Sequence, residues 1–149
     1  MLQKLHANST EIEAQDNIVA ASCRIIEFQF MPLPADQRPA EYAQLLDSVF
    51  EKIPFEGDDA ENETVLKFAA KLYELDQATC LKYIDKIAIT CIKCLVDDKA
   101  SESLTTKFKY QVGEMINKIV VIHAQGILQE LESKMSEHEK AELKKYMKV

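Results

Sequence analysis

The stretch TCLKYIDKIAITCIKCLV, residues 79–96, has the pattern that decides the fold. Its apolar residues recur at helical spacing and would cover well over half of the circumference of one helix. They are Leu81, Ile84, Ile87, Ala88, Cys91, Ile92, Cys94 and Leu95. A helix with so wide an apolar surface packs on more than one side. The stretch therefore predicts a buried helix of an all-α protein.

Three amphipathic helices are predicted before this stretch. The first covers about residues 11–30 and opens at the capping-box pattern of Thr10 and Glu13. The second covers about residues 39–50, where a proline suits the first helical turn and apolar residues then follow a helical stripe. The third follows an acidic link and ends near Asp76.

Two more helices are predicted after the stretch. A long fifth helix opens at Ser101, with a break near Gly126. A short final helix opens at a second capping-box pattern, formed by Ser136 and Glu139. No segment has convincing β alternation, because the β-branched residues that follow Met115 continue a helical stripe.

The spacing of these helices favours one arrangement. The first, third and fifth helices start roughly 49 and 41 residues apart, close to the period of about 40 to 47 residues that HEAT-type helix pairs have. An up-and-down bundle is the alternative for helices of these lengths. We predict a single helical-repeat domain over residues 1–149, a short α-solenoid of about three stacked antiparallel HEAT-like helix pairs.

Charge and hydropathy limit the classes of partner. The chain has 149 residues, a formal net charge of −7 and a pI near 5.0. Nucleic acids and anionic membranes would repel this average field, so we expect neither as a direct partner and expect basic proteins instead. There is no apolar run of the roughly 20 residues that a membrane span needs and no apolar signal segment, so we expect an intracellular protein.

Cys91 and Cys94 form a Cys-x-x-Cys pair, a pattern that elsewhere supplies thiolates to zinc or a redox couple. The pair lies in the middle of a predicted helix, with no second ligand pair at suitable spacing, so packing of reduced thiols in the core is the favoured interpretation. The histidines, His6, His123 and His138, are scattered, and no glycine-rich phosphate loop is present. We predict no catalytic residue, no metal site and no cofactor.

Five acids within eight residues form the most distinctive local charge in the sequence. They are Glu56, Asp58, Asp59, Glu61 and Glu63. At an expected turn they would attract Lys or Arg side chains of a basic cargo protein. Solvated acids next to a helix N-terminus are also common because the helix dipole favours them there, and this simpler interpretation is the stronger one.

Asp16, Asn17 and Arg24 share the first predicted helix. Their polar side chains suit hydrogen bonds and ion pairs to a neighbouring repeat, which would hold the helix pairs in register. We predict a structural role for these three residues.

Two segments resemble a known family. Residues 16–26, DNIVAASCRII, resemble the Asp-Asn…Ala-x-x-Arg-Leu-Leu helix near the C-terminus of receptors of the importin-β (karyopherin-β) family. Residues 53–55, Ile-Pro-Phe, are followed by Asp58 and Glu61, which resembles the Leu-Pro-Leu link and later acids of the next helix pair in that family. The resemblance covers about residues 11–149, and the later helices match mainly in pattern.

The resemblance implies a short run of HEAT repeats equivalent to the C-terminal end of a longer receptor. It further implies nuclear import of basic cargo such as histones or ribosomal proteins, with residence in the cytoplasm and nucleus, and nucleoporins as further partners. The chain has no counterpart of the N-terminal repeats through which the family binds Ran, so Ran binding is not expected of it alone. The alternative is a helical-repeat scaffold or adaptor unrelated to transport, which the helix spacing permits equally well.

Overall fold

A computed structural model describes residues 12–148 of the chain, and within this range every regular element is helical. The all-α prediction is therefore confirmed. The capping box predicted at Thr10 lies outside the described residues. Short 3-10 turns at Ala35–Gln37 and Asp59–Glu61 precede the second and third long helices.

The helices are named in chain order. Helix α1 is Ile12–Ile25 and continues through a π-helical turn at Ile26–Phe30. Helices α2 to α6 are Ala40–Glu51, Asn62–Leu75, Gln77–Leu81, Ile84–Val96 and Asp98–Glu102. Helix α7 is Thr106–Met115 and continues through a π-helical turn at Ile116–Val120 into α8, Val121–His123. Helices α9 and α10 are Gln125–Ser133 and Glu137–Met147.

The helix predicted from Thr79 to Val96 is divided in two, so that part of the prediction was wrong. Asp76 caps the short α4 by accepting a hydrogen bond from the Thr79 backbone N–H. The backbone then leaves helical geometry at Tyr83, where φ is −111° and ψ is 17°. The Tyr83 ring stacks on Phe50 with ring centroids 4.4 Å apart, so a contact distant in sequence coincides with the break.

The boundaries of the fifth predicted helix were also wrong. Ser101 lies inside the short α6, and α7 opens at Thr105, whose hydroxyl accepts a hydrogen bond from the Phe108 N–H. The predicted break near Gly126 is confirmed and lies at Ala124, where φ is −145° and ψ is 39°, just before α9. The capping box at the start of α10 is confirmed, with both of its hydrogen bonds present.

Helices α1 and α3 run in the same direction. Early in α1, the Asp16 carboxylate accepts hydrogen bonds from the backbone N–H groups of Gly57 and Asp58, just before α3. In the π-helical turn that continues α1, Glu27 pairs with Lys71 near the end of α3. Because early residues meet the start of α3 and late residues meet its end, the two helices are parallel.

Helices α3 and α7 are parallel by the same criterion. Lys67 of α3 lies over the ring of Phe108 near the start of α7, 5.6 Å from the ring centroid. Glu74 near the end of α3 pairs at 3.6 Å with Lys118, which lies in the π-helical turn after α7. Helices α1, α3 and α7 therefore lie side by side in one direction.

The other long helices return in the opposite direction. Arg38, just before α2, donates a hydrogen bond to the carbonyl of Phe30 at the end of the first helix. The segment just after α2 bonds to Asp16 early in α1, so α2 runs antiparallel to α1. Lys99, just after α5, pairs at 3.7 Å with Asp59, just before α3, so α5 runs antiparallel to α3. A continuous hydrophobic core fills the space between these helices, and Phe50, Phe55 and Phe68 are its largest fully buried side chains.

Helices α7 and α10 make the closest backbone contact, at Gly113. A Cβ atom added to Gly113 would lie 2.0 Å from the carbonyl oxygen of Tyr146, so only glycine fits there. One turn further along, the side-chain amide of Asn117 donates a hydrogen bond of 2.9 Å to the carbonyl of Met147. The end of α10 is therefore held against the backbone of α7.

Candidate protein-interaction site

Two buried polar side chains fix the acidic turn, which we define as residues 56–63. Asp16, only 5% exposed, accepts hydrogen bonds of 2.8 Å from the backbone N–H groups of Gly57 and Asp58. Asn62 is fully buried, and its side-chain amide oxygen Oδ1 accepts a hydrogen bond of 2.9 Å from the Phe55 backbone N–H. The loop before α3 is thus tied both to α1 and to its own helix.

Three of the five predicted cargo-contact acids have ion-pair partners within the chain. Asp59 lies 3.7 Å from the Lys99 ammonium group, Glu61 lies 3.2 Å from the Arg24 guanidinium group, and Glu63 lies 2.6 Å from the Lys67 ammonium group. Glu61 also accepts a hydrogen bond of 2.6 Å from the Thr64 hydroxyl. These pairs link the turn to its neighbours.

The other two acids present carboxylates to solvent. Glu56 is exposed and Asp58 is partly exposed. Within residues 12–148 neither carboxylate has an ion-pair partner. A basic partner would therefore meet these two carboxylates without displacing a cation of the chain.

The structure brings two of the three predicted structural residues against the acidic turn. Asp16 bonds to its backbone, and Arg24, two helical turns further along α1, reaches Glu61 and the Thr64 hydroxyl. Asn17 is exposed on the same helix. The acidic turn and these residues are separate sets in the sequence, whereas two of the three residues lie at one contact between α1 and the start of α3.

A second surface of the protein has no counterpart among the residues predicted from the sequence. A groove of about 540 Å³ runs along α3 between α1 and α7, and we call it the α3 groove. Its apolar lining residues are Phe68, Ala70, Phe108, Met115 and Ile119, of which Phe68, Phe108 and Ile119 are buried. Charged side chains form its rim, namely Arg24, Glu27, Lys67, Lys71, Glu74, Glu114 and Lys118.

The cations of this rim are more exposed than most of their carboxylate partners. The side chains of Arg24, Lys67 and Lys71 are 52%, 58% and 59% exposed. Their partners Glu61, Glu63 and Glu27 are only 21%, 32% and 25% exposed. The pair of Lys118 and Glu74 is exposed on both sides, at 62% and 68%. The α3 groove therefore presents both signs of charge to solvent, since Glu74 and Glu114 are exposed acids of the same lining.

Three large apolar side chains are exposed at the same end of the parallel helices. Phe28, Leu75 and Ile122 are 78%, 60% and 67% exposed. Each lies four positions after a basic residue of the groove rim, Arg24, Lys71 or Lys118, and so lies on the same helix face about one turn further on. A search of the sequence for a repeat of 47 residues would have found both sets, because both recur at that interval.

The Cys-x-x-Cys pair lies inside the core, as its predicted packing role requires. Cys91 and Cys94 are both fully buried, and burial raises the pKa of each thiol, to about 12 for Cys94. Burial likewise raises the pKa of Cys23 and of Cys80 to about 12. These thiols are neutral near pH 7, a state that neither attacks an electrophile nor binds zinc. Among residues 12–148, no three potential metal ligands lie close enough together to share an ion.

Comparisons with protein-family models, with curated proteins and with solved structures find no match to this chain. Within residues 12–148, no helix combines the length and the apolar character that crossing a bilayer would require.

Proposed function

We propose that this chain is a protein-binding segment made of stacked HEAT-type helix pairs, of the kind found at the C-terminal end of nuclear transport receptors. Its function in this proposal is the nuclear import of basic cargo such as histones or ribosomal proteins, with no catalytic step and no cofactor. It would act in the cytoplasm and nucleus, and nucleoporins would be further partners.

The observation that carries the repeat architecture is an ion pair that recurs along the parallel helices. Glu27 pairs with Lys71, and Glu74 pairs with Lys118, and in each pair the two residues are 44 positions apart. Corresponding members of the two pairs are 47 positions apart. The same contact thus joins α1 to α3 and α3 to α7. A repeated contact between neighbouring units is typical of solenoids, in which each repeat touches only the next.

The acidic turn supports the choice of a basic partner. Glu56 and Asp58 present unpaired carboxylates within the described residues, and the net charge of −7 attracts cations at longer range. The internal pairs of Asp59, Glu61 and Glu63 are surface pairs, each worth about 0 to 1 kcal/mol. Asp59 and Glu61 are only 11% and 21% exposed, so a basic cargo would meet Glu56 and Asp58 first.

A charge-matched pair of variants tests the basic-cargo proposal. The double variant Glu56→Gln, Asp58→Asn removes two charges from the acidic turn, and Glu41→Gln, Glu51→Gln removes two from exposed positions on α2. Binding of a Lys/Arg-rich histone-type peptide, measured by calorimetry at two salt concentrations, should weaken about ten-fold in the first variant and less than two-fold in the second. Equal weakening in both variants, or no binding by the parent chain, contradicts the proposal.

A scaffold or adaptor unrelated to transport is the second candidate. It is favoured by the internal pairing of Asp59, Glu61 and Glu63, because those acids then have a structural role without any cargo. Affinity purification of the tagged chain from cells separates the two functions. Enrichment of histones, ribosomal proteins or nucleoporins supports transport, whereas a stable partner of another kind without them supports a scaffold.

A further inference from the structure

We infer that the end of α10 and the exposed face of α7 form a docking site for a short acidic segment of a partner protein. The site is a surface cleft of about 530 Å³, which we call the lysine cleft. Its lining residues are Lys107, Tyr110, Gln111, Glu114, Lys145 and Lys148. The inference goes beyond the basic-cargo site, because the surface is a different one and the partner has the opposite charge.

The contact at Gly113 brings α7 and α10 close enough to share the cleft. Because Gly113 has no side chain, the backbone of α10 at Tyr146 lies directly against α7. Lys145 lies next to this contact on α10, and Lys107 lies within two helical turns of it on α7. The lysines of the cleft therefore extend from two helices that are held together by their backbones.

Two tyrosine rings hold lysine side chains at this surface. The rings of Tyr110 and Tyr146 meet edge to face, with their centroids 5.1 Å apart. The Lys148 ammonium group lies 5.6 Å from the centroid of the Tyr110 ring. The ammonium groups of Lys145 and Lys109 lie 5.0 Å and 5.9 Å from the centroid of the Tyr146 ring. A cation–π contact attracts an ammonium group without neutralising it, so three positive charges gather around one pair of rings.

The lysines of this surface have no carboxylate partners. Within residues 12–148, no ion pair is formed by Lys107, Lys109, Lys144, Lys145 or Lys148. All four cations of the α3 groove, by contrast, pair with a glutamate. Three lysines and one glutamate give the lining of the lysine cleft a net charge of +2. A positive surface without internal partners, on a chain whose net charge is −7, is complementary to an anionic ligand.

The small extent of the positive surface favours a short acidic peptide over a longer polyanion. Glu114 lies in the lining itself, and Glu142 lies about one helical turn before Lys145. A nucleic acid that crosses the cleft would bring its phosphates towards these acids and into the field of an acidic chain. A peptide with one Asp or Glu for each lining lysine need not extend beyond the cleft. Its carboxylates would accept charge-assisted hydrogen bonds from the ammonium groups.

The test uses the full chain and a short labelled peptide in which Glu alternates with Gly. A matched peptide has Gln in place of Glu, and a third ligand is a labelled single-stranded DNA of about 20 nucleotides. Fluorescence anisotropy should show that the Glu peptide binds at least ten-fold more tightly than the other two ligands, and more weakly as the salt concentration rises. Equal binding of the two peptides overturns the inference, as does equal or tighter binding of the DNA.

A charge-matched pair of variants locates the binding. Lys107→Gln, Lys145→Gln removes one lysine from each side of the cleft, and Lys52→Gln, Lys82→Gln removes two exposed lysines elsewhere. The first variant should bind the Glu peptide about five-fold more weakly or worse, and the second should change the affinity less than two-fold, although both alter the net charge equally. Circular dichroism checks that both remain folded. Equal weakening in the two folded variants overturns the inference.

A third variant should increase the affinity, a result that misfolding would not produce. Glu114→Gln removes the carboxylate of the lining and should tighten binding of the Glu peptide about two- to five-fold, whereas Glu41→Gln on α2 should change it less. Equal effects of these two variants contradict the inference. Self-association of the parent chain that Lys107→Gln, Lys145→Gln abolishes also contradicts it, because the acidic turn of a second copy would then occupy the cleft. None of these variants changes the acidic turn, so the result is independent of the basic-cargo proposal.

Discussion

Within the described residues, the first and the last helix junctions are held by opposite means. At the first junction, between α1 and the start of α3, the buried side chains of Asp16 and Asn62 extend to backbone N–H groups. At the last junction, between α7 and α10, there is no side chain at all at Gly113, and two backbones meet directly. A polar junction depends on hydrogen bonds that a substitution can remove, whereas a backbone junction depends on space that a single methyl group can fill.

The largest effect is expected at Gly113. In Gly113→Ala the added Cβ would lie 2.0 Å from the Tyr146 carbonyl oxygen and 2.5 Å from its carbon, and both belong to rigid backbone. Relief requires moving α10, and we expect a loss of about 3 kcal/mol or more in the free energy of unfolding. Urea denaturation of the variant and the parent chain measures this loss in the free energy of unfolding.

Gly126→Ala is the matched control, since the new Cβ there has no neighbour within 4 Å. Gly126 lies inside α9, so alanine should raise stability by about 0.5 to 1 kcal/mol. A similar small effect at both glycines would mean that α7 and α10 are not in backbone contact.

The next largest effect is expected at the polar junction. Asp16→Ala leaves the N–H groups of Gly57 and Asp58 without their acceptor, and a lost hydrogen bond to a charged group costs about 1.5 to 3 kcal/mol. We expect a total loss of about 2 kcal/mol, because water can reach part of the exposed turn. Asp36→Ala, at an exposed position, should change stability by less than about 0.5 kcal/mol. If the two variants lose the same stability, Asp16 does not hold the junction.

Alkaline pH should weaken the fold, because the four cysteines are all buried as neutral thiols. Burial raises the folded-state pKa of Cys94 to about 12, above the value of about 8.5 for an unfolded thiol. The stabilisation that comes from keeping this thiol neutral is thus complete below about pH 8.5. It is lost as pH rises towards 12, by about 1.4 kcal/mol per pH unit.

Cys94→Ala should therefore lose stability less steeply than the parent chain between pH 9 and 10. Thermal unfolding across this range gives the difference in slope. Val112→Ala removes buried apolar volume from α7 without removing a titrating group, so its cost should be independent of pH. If the unfolding temperature of Cys94→Ala differs from that of the parent chain by the same amount at every pH, as is expected for Val112→Ala, the thiol has no part in the loss of stability at alkaline pH.

The smallest effects are expected at the repeated ion pairs between the two junctions. Glu27→Gln and Glu74→Gln each break one surface pair, and each should cost about 0.2 to 1 kcal/mol, less at high salt. Urea denaturation at low and high salt should give similar values for the two variants. A loss above about 2 kcal/mol in either would mean that this pair, and not the junctions, dominates the contact.

Features with a local cause were predictable from the sequence. The capping box of Ser136 and Glu139 acts within one turn, and the burial of Cys91 and Cys94 follows from the apolar periodicity of their own helix. The prediction of where α7 starts was wrong for a local reason as well. Residues 97–105 offer several good N-caps, and the chain uses both Asp97 and Thr105, so a single long helix opening at Ser101 was the wrong choice among them.

Features that depend on distant residues were not predictable. Tyr83 leaves the helix where its ring stacks on Phe50, 33 positions earlier, and Gly113 must be glycine because of Tyr146, 33 positions later. The α3 groove needs three helices side by side, and the unequal exposure of its ion pairs follows from that packing. Only the recurrences at 47 residues, of Arg24, Lys71 and Lys118 and of the exposed apolar side chains four positions later, were visible in the sequence.

The lengths of chain between bonded helices bear on the order of folding. The bond from Arg24 to Glu61 spans 37 positions, that from Tyr73 to His123 spans 50, and that from Asn117 to Met147 spans 30. Loop-closure entropy rises only slowly with loop length, so each of these steps has a similar entropic cost. Neighbouring helices can therefore associate one after another along the chain, without waiting for the two termini to meet.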